Sequence, residues 1–349
     1  PYAYGVTGNV QITGDSLLAN LSSARLLKET QTTGDSVISI PSFVAEPLAI
    51  SASLPLQSTA KDVAAYIKEQ KIELPNNIQF SPDSVTGDLK GQAEFNVQVP
   101  YGDKPVEIDY AFAGEIKNGV LNNVFMDKSI SGINGPFEFG NKKSAFKGKV
   151  QFDNRAVEID YSATSDAMKL FSSLSLPLDL LREFEIAVPD YIAGNIAWTG
   201  SISKNTKQND FAFNGTVDLK QTSVNIPELN LHKDAGETAT AKLEGSFSDS
   251  DIRLSNFELD STLGKASGAV EYSIVQSALK FLNFTSLTLN GNDVSGTYKV
   301  LDGGHYFHGK GKRLDLRFLD KEEEAQEAEA PAEPIPDEEP GPFDFPVLD

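Results

Sequence analysis

Few side chains in this sequence are of kinds that do chemistry, and their spacing works against it. There are three histidines and no cysteine. His305 and His308 stand three apart in Gly304-His305-Tyr306-Phe307-His308-Gly309, and His232 stands alone. Residues three apart on a strand point to opposite faces, so the pair would chelate poorly and reads as surface histidines. The lack of cysteine excludes disulfides, thiolate zinc sites and thiol catalysis. Glu107, Asp109, Glu158 and Asp160 alternate with apolar residues. Two carboxylates can serve glycoside hydrolysis, but this alternation fits a solvated strand face. No phosphate-cradling glycine loop, nucleophile elbow or zinc-protease helix motif is present. Trp198, the single tryptophan, reads as core or as an edge anchor. The expectation is a protein that is not an enzyme and needs no cofactor or metal.

The elements that carry these residues are strands. Period-2 alternation recurs along the chain. Val6, Gly8, Val10 and Ile12 share one face, as do Leu48, Ile50, Ala52 and Leu54. Leu89, Gly91, Ala93, Phe95, Val97 and Val99 make a longer run, followed across a Gly102-Asp103 turn by Val106, Ile108, Tyr110, Phe112, Gly114 and Ile116. Then come Ile133, Gly135, Phe137 and Phe139; Phe146, Gly148, Val150 and Phe152; and Val157, Ile159 and Tyr161. Later runs are Phe211, Phe213, Gly215, Val217 and Leu219; Leu243, Gly245 and Phe247; Ala266, Gly268, Val270 and Tyr272; and Leu287 with Leu289. The intervening positions are mostly charged or polar. One wet and one apolar face is the signature of antiparallel sheet. Glycines recurring on the apolar face, at Gly91, Gly148, Gly215, Gly245 and Gly268, predict a sheet that curves strongly.

Helical signals are few. Ser58 to Lys71 has a cap at Ser58 or Thr59, with Val63 and Ile67 on one side and Pro75 beyond. Ser165-Asp166 would cap a short helix through Leu174, and a second would follow Pro177 with Leu178, Leu180, Leu181 and Phe184. These divide the chain into a first sheet segment over 1–164, a helical insertion over 165–186 and a second sheet segment over 187–320. Residues 321–342 carry nine acidic side chains, one Lys and almost nothing large and apolar. They read as a disordered acidic linker. Residues 343–349 read as the start of a further strand. The chain opens without Met at Pro1-Tyr2-Ala3-Tyr4, so the sequence is expected to be an excerpt of a longer protein, with any membrane anchor outside it.

Charge and hydropathy narrow the partners. The net charge is −20 over 349 residues. That argues against nucleic acid, whose phosphates call for a Lys/Arg excess, and against adhesion to an anionic membrane surface. No run of 18 apolar residues exists, so no helix here would span a bilayer. The apolar face must still be covered. Two stacked sheets or a closed, ligand-carrying barrel would do it; so would an open curved sheet whose inner face holds lipid tails.

Several segments resemble the AsmA-like superfamily, especially its YhdP branch. Ser223-Val224-Asn225-Ile226-Pro227-Glu228-Leu229-Asn230-Leu231-His232-Lys233-Asp234-Ala235-Gly236-Glu237 is similar to a recurring strand that ends in Ile-Pro-x-Leu before a Lys-x-x-Gly-Glu turn. Val37-Ile38-Ser39-Ile40-Pro41 resembles the family's apolar-Ile-Pro strand end. Asp62-Val63-Ala64-Ala65-Tyr66-Ile67 resembles its short edge helix, and Val85-Thr86-Gly87 into Phe95-Asn96-Val97-Gln98-Val99-Pro100 resembles the strand that follows. Asp315-Leu316-Arg317-Phe318-Leu319 resembles the point where the sheet pauses. The resemblance implies a long half-pipe of antiparallel sheet with a polar outer face and an apolar groove lined by the runs from Phe95 to Leu289. It also implies a Gram-negative periplasmic location, a tether to the inner membrane, and transfer of phospholipid toward the outer membrane. A structural or adhesive extracellular β-protein with a closed core is the alternative.

Overall fold

The computed structural model describes residues 3–70, 81–125, 128–183, 188–205, 210–227, 231–276, 278–289, 292–301 and 304–313. The linker expected over 321–342, the strand expected at 343–349, and Phe184 lie outside the described residues. The chain is mostly β, with 21 antiparallel strands and two helices among those residues.

The strands follow one another as a meander. β1 (Tyr4–Thr13) pairs with β2 (Ser16–Arg25). Two short pieces, β3 (Gln31–Thr32) and β4 (Ser36–Ile40), lie end to end between β2 and β5 (Leu48–Thr59). Helix α1 (Ala60–Gln70) comes next, then β6 (Val85–Val99), β7 (Glu107–Phe125), β8 (Lys128–Gly140), β9 (Lys143–Phe152), β10 (Arg155–Thr164) and β11 (Ala167–Pro177). Helix α2 (Leu178–Glu183) leads into β12 (Ile192–Asn205) and β13 (Phe211–Asp218). The hairpin β14 (Thr222–Ile226) and β15 (Leu231–Lys233) pairs only with the first residues of β12. β13 then pairs with β16 (Ala239–Phe247), followed by β17 (Asp251–Ser261), β18 (Gly264–Ser273), β19 (Ala278–Leu289), β20 (Asn292–Leu301) and β21 (Gly304–Arg313). The main stack therefore has eighteen positions and, at about 4.8 Å each, extends about 80 Å. Among the described residues β1 pairs only with β2 and β21 only with β20, so the sheet is open rather than closed into a barrel.

One expectation needs correction. Residues 167–177 form strand β11, not a helix, and β11 pairs along its length with both β10 and β12. The sheet thus runs on through the segment expected to be a helical insertion. The polar residues that looked like a helix cap make a hairpin turn: the Thr164 hydroxyl accepts from the amides of Asp166 at 3.4 Å and Ala167 at 3.3 Å. A hydroxyl that satisfies nearby amides serves a turn as readily as a cap. The second helix does form after Pro177, as α2, with Leu178 and Leu180 buried.

The packed core is small and local. Leu54, Leu56, Leu89, Ala93 and Phe112 cluster against Ala60 of α1, with Val63, Val85, Ile116 and Phe137 packed around them. Thr59 caps α1, its hydroxyl accepting from the Asp62 amide at 3.2 Å. Asp62 favours the positive end of the helix dipole and Lys68 its negative end. The Asp62 carboxylate also accepts from the Glu29 amide at 2.6 Å. That bond ties the start of α1 to the turn after β2.

Candidate functional site: an apolar row across an open sheet

Register decides which side chains share a face. Starting at Leu56 in β5, the partners in successive strands are Gly91, Gly114, Phe137, Phe146, Tyr161, Leu170 and Ile202. The line continues through Phe213, Gly245, Leu254, Val270, Leu282, Tyr298 and Phe307. Every member is glycine or has an apolar body, from β5 to β21. A second line runs beside it from Val150 through Val157, Leu174, Trp198, Val217, Ala241, Leu259, Ala266, Leu287 and Val294. The apolar stripe is therefore at least two rows wide over the second half of the sheet.

Glycines let this floor lie close. Gly91 faces Gly114 across β6 and β7, and a Cβ on either would strike the other strand's backbone. Gly200 faces Gly215 across β12 and β13, where the Trp198 indole lies over both. The indole nitrogen donates to the Ser172 hydroxyl at 3.2 Å. Trp198 is thus part of the apolar floor, its one polar atom satisfied.

α1 lies across the first part of the stripe, and apolar cavities open beside it. One, of about 760 Å³, is lined by Leu26, Leu27, Tyr66, Ile67, Phe95, Ile108 and Tyr110 among others. The other, of about 270 Å³, is lined by Ala64, Ile133, Phe137, Phe146 and Tyr161 among others. Val63, Ile67, Phe112 and Phe139 line both. Burial raises the phenol pKa values of Tyr110 and Tyr161, so both stay protonated at neutral pH.

The opposite face is polar. Cross-strand ion pairs join Lys147 to Asp160 at 3.0 Å, Lys149 to Glu158 at 3.2 Å and Lys242 to Glu258 at 3.3 Å. Lys142 pairs with Asp109 and, chiefly by that hydrogen bond, holds its carboxyl below the usual range. Asp109, Glu158 and Asp160 of the sequence's alternating carboxylates are thus charge-paired members of a solvated face, and Glu107 is exposed on it. Back on the apolar face, at its far end, His305 stacks on Tyr298, its Nδ1 2.7 Å from the phenol oxygen.

Of the residues expected to line a groove, all but Leu219 lie in strands on the apolar face; Leu219 sits in the turn after β13. Phe95, Tyr110, Phe112, Phe137, Phe139, Phe146 and Tyr161 line the cavities beside α1. Val97 pairs with Ile50 and Ile108, and Phe152 stands at the end of β9 opposite Ile130. Ile159 faces Gly148 and Ser172, and Phe211 stacks on Phe247 with the Lys204 ammonium 4.5 Å from its ring centre. Tyr272 faces Ile252, and Leu289 closes β19 opposite Gly264. Val150 is only 3% exposed, so it belongs to packed core more than to an open surface. Sequence reasoning missed Leu170, Ile202, Leu254, Leu282, Tyr298 and Phe307. Alternation across Ile196, Trp198, Gly200 and Ile202 was the available signal for β12.

The Ile226 to Glu237 segment has a structural role. Lys233 is buried, and its ammonium donates to the carbonyls of Thr222 at 2.6 Å, Leu219 at 3.1 Å and Asp234 at 3.2 Å. All three donors are used, which is what a buried ammonium requires. The lysine ties the β14–β15 hairpin to the turn that follows β13. Comparison with protein-family models, curated proteins and solved structures gives no match to this chain.

Proposed function

We propose that the chain is a segment of a bridge-like lipid-transfer protein, its apolar face shielding phospholipid acyl chains while headgroups stay in solvent. The observation that carries this reading is the unbroken line from Leu56 to Phe307. It crosses fifteen strands without a charged member on a sheet whose other face is polar. An acyl chain gains about 0.8 kcal/mol for each methylene taken out of water. A stripe of constant character keeps that gain nearly level along its length, so tails can slide without deep traps. Neither a reaction nor a cofactor is required. The segments similar to AsmA-like proteins extend the proposal to a Gram-negative periplasmic setting, with a tether to the inner membrane outside this sequence.

The closed-core structural alternative has less support. It calls for a second layer over the apolar face, and the helices among the described residues are α1, packed on β5 and β6, and the short α2, packed on β11 and β12. Photocrosslinking residues placed one at a time at Ile202, Leu254 and Leu282, and at Lys149 and Lys242 on the polar face, test the proposal. Lipid adducts are expected from the first three positions only. Adducts at neither set, or equally at both, would count against it.

A further inference from the structure

Two hydroxyls are out of place on the apolar face. Ser144 Oγ and Tyr161 Oη are both buried, and among the described residues neither has a hydrogen-bond partner. Ser144 is 7% exposed. The two are diagonal neighbours: Ser144 pairs with Ala163, and Tyr161 with Phe146, on the same face of β9 and β10. Both line the cavity of about 270 Å³ beside α1, where every other side chain but Glu138 is apolar. Buried polar atoms in native proteins nearly always have a partner, and neither hydroxyl can find one in these walls. Burial keeps the Tyr161 phenol protonated, so both groups are able to donate.

We propose that this cavity is a station in the groove for the carbonyl end of an acyl chain, whose ester oxygen accepts hydrogen bonds from Ser144 and Tyr161. The inference rests on the acyl-chain reading above and deepens it. A neutral ester fits better than a free carboxylate. No Lys or Arg lines the cavity, and the one charged lining residue, Glu138, is an anion already paired with Lys143. Farther along the stripe, Ile202, Phe213, Leu254, Val270 and Leu282 offer a tail no polar side-chain atom. Here the head of the tail would be recognised, so lipid would dwell beneath α1 before moving on.

Ser144→Ala and Tyr161→Phe remove the two oxygens and almost no volume. The full chain, wild type and double variant, is titrated with three fluorescent probes: a phosphatidylcholine carrying a cis-parinaroyl chain, free cis-parinaric acid, and diphenylhexatriene, which has no oxygen. The station predicts about a tenfold loss of affinity for the phospholipid probe in the double variant. It also predicts unchanged diphenylhexatriene binding and a melting temperature no lower than wild type, because unpaired buried hydroxyls are lost rather than bonds. Unchanged phospholipid affinity, or an equal loss for diphenylhexatriene, overturns the station and leaves the groove standing. A larger loss for free parinaric acid than for the phospholipid overturns the ester assignment. A lowered melting temperature shows that the hydroxyls hold structure and also overturns it. If no probe binds the wild type, the groove reading fails along with the station.

Discussion

In β5 to β7 the apolar face packs under α1 and buries Leu54, Leu56, Leu89 and Phe112. In β12, β13 and β16 to β21 the same face continues through Ile202, Phe213, Leu254 and Leu282, yet no apolar side chain larger than alanine is buried there. The alternation that writes the two regions is the same; the cover is not. Where a helix lies on the sheet, the pattern makes a core. Where nothing does, it makes a half-buried floor.

The comparison is sharpened most by truncating each region in turn. Phe112→Ala should cost about 3–5 kcal/mol, the usual range for a core aromatic. Leu254→Ala should cost about 1 kcal/mol, because its side chain is only half out of water. Denaturant titration of the two variants reads the difference directly. Equal costs would mean that the second region is as packed as the first.

Lys233, buried in the β14–β15 hairpin, offers a second contrast. Lys233→Met keeps the apolar stem and leaves the Thr222, Leu219 and Asp234 carbonyls without their donor. The expected loss is about 1–3 kcal/mol. Hydrogen exchange should place it in the β14–β15 hairpin, with β18 to β20 unchanged. Loss of protection along the whole sheet would show that the hairpin supports more than its own edge.

The smallest effect concerns charge on the uncovered region. Asp251 is held below its ordinary range, chiefly by a hydrogen bond from Lys280 at 2.9 Å and then by the Ser250 hydroxyl. A carboxyl whose folded pKa lies below its unfolded value of about 3.9 stabilises the fold above that value. It loses the contribution as pH falls through the lowered folded value. Asp251→Asn should therefore melt slightly below wild type at pH 7, and the gap should close below about pH 4. A gap of the same size at pH 7 and pH 3 would assign the effect to packing instead of charge.

Much of the fold was legible because each strand has one wet face, which writes polarity into every second residue. The pattern failed where register slips. In β17 the pairing shifts between Leu254 and Phe257, so the apolar series Ile252, Leu254, Phe257, Leu259 changes parity and the whole strand goes unread. β11 reads as a helix because Ser165 and Asp166 suit a cap as well as a turn, although Met168, Leu170, Ser172, Leu174 and Leu176 alternate behind them. The site itself was legible only in part. That Phe112 and Phe139 lie beneath α1 follows from tertiary packing, which spacing along the chain does not encode. Ser144 carried no signal, since a lone serine between Lys143 and Ala145 looks like solvent-facing strand. Lys233 stood out within a recognisable segment, but its burial against three carbonyls is a property of the folded turn.

The most direct test of the central claim is native mass spectrometry of the purified protein with extraction and identification of what it carries, for wild type and for the Ile202→Asp, Leu254→Asp double variant. The account predicts co-purifying phospholipid on wild type, and its loss from a double variant that keeps the wild-type circular dichroism spectrum. A wild-type protein free of lipid, melting cooperatively, with a double variant that unfolds, would contradict it and mark the apolar face as closed core.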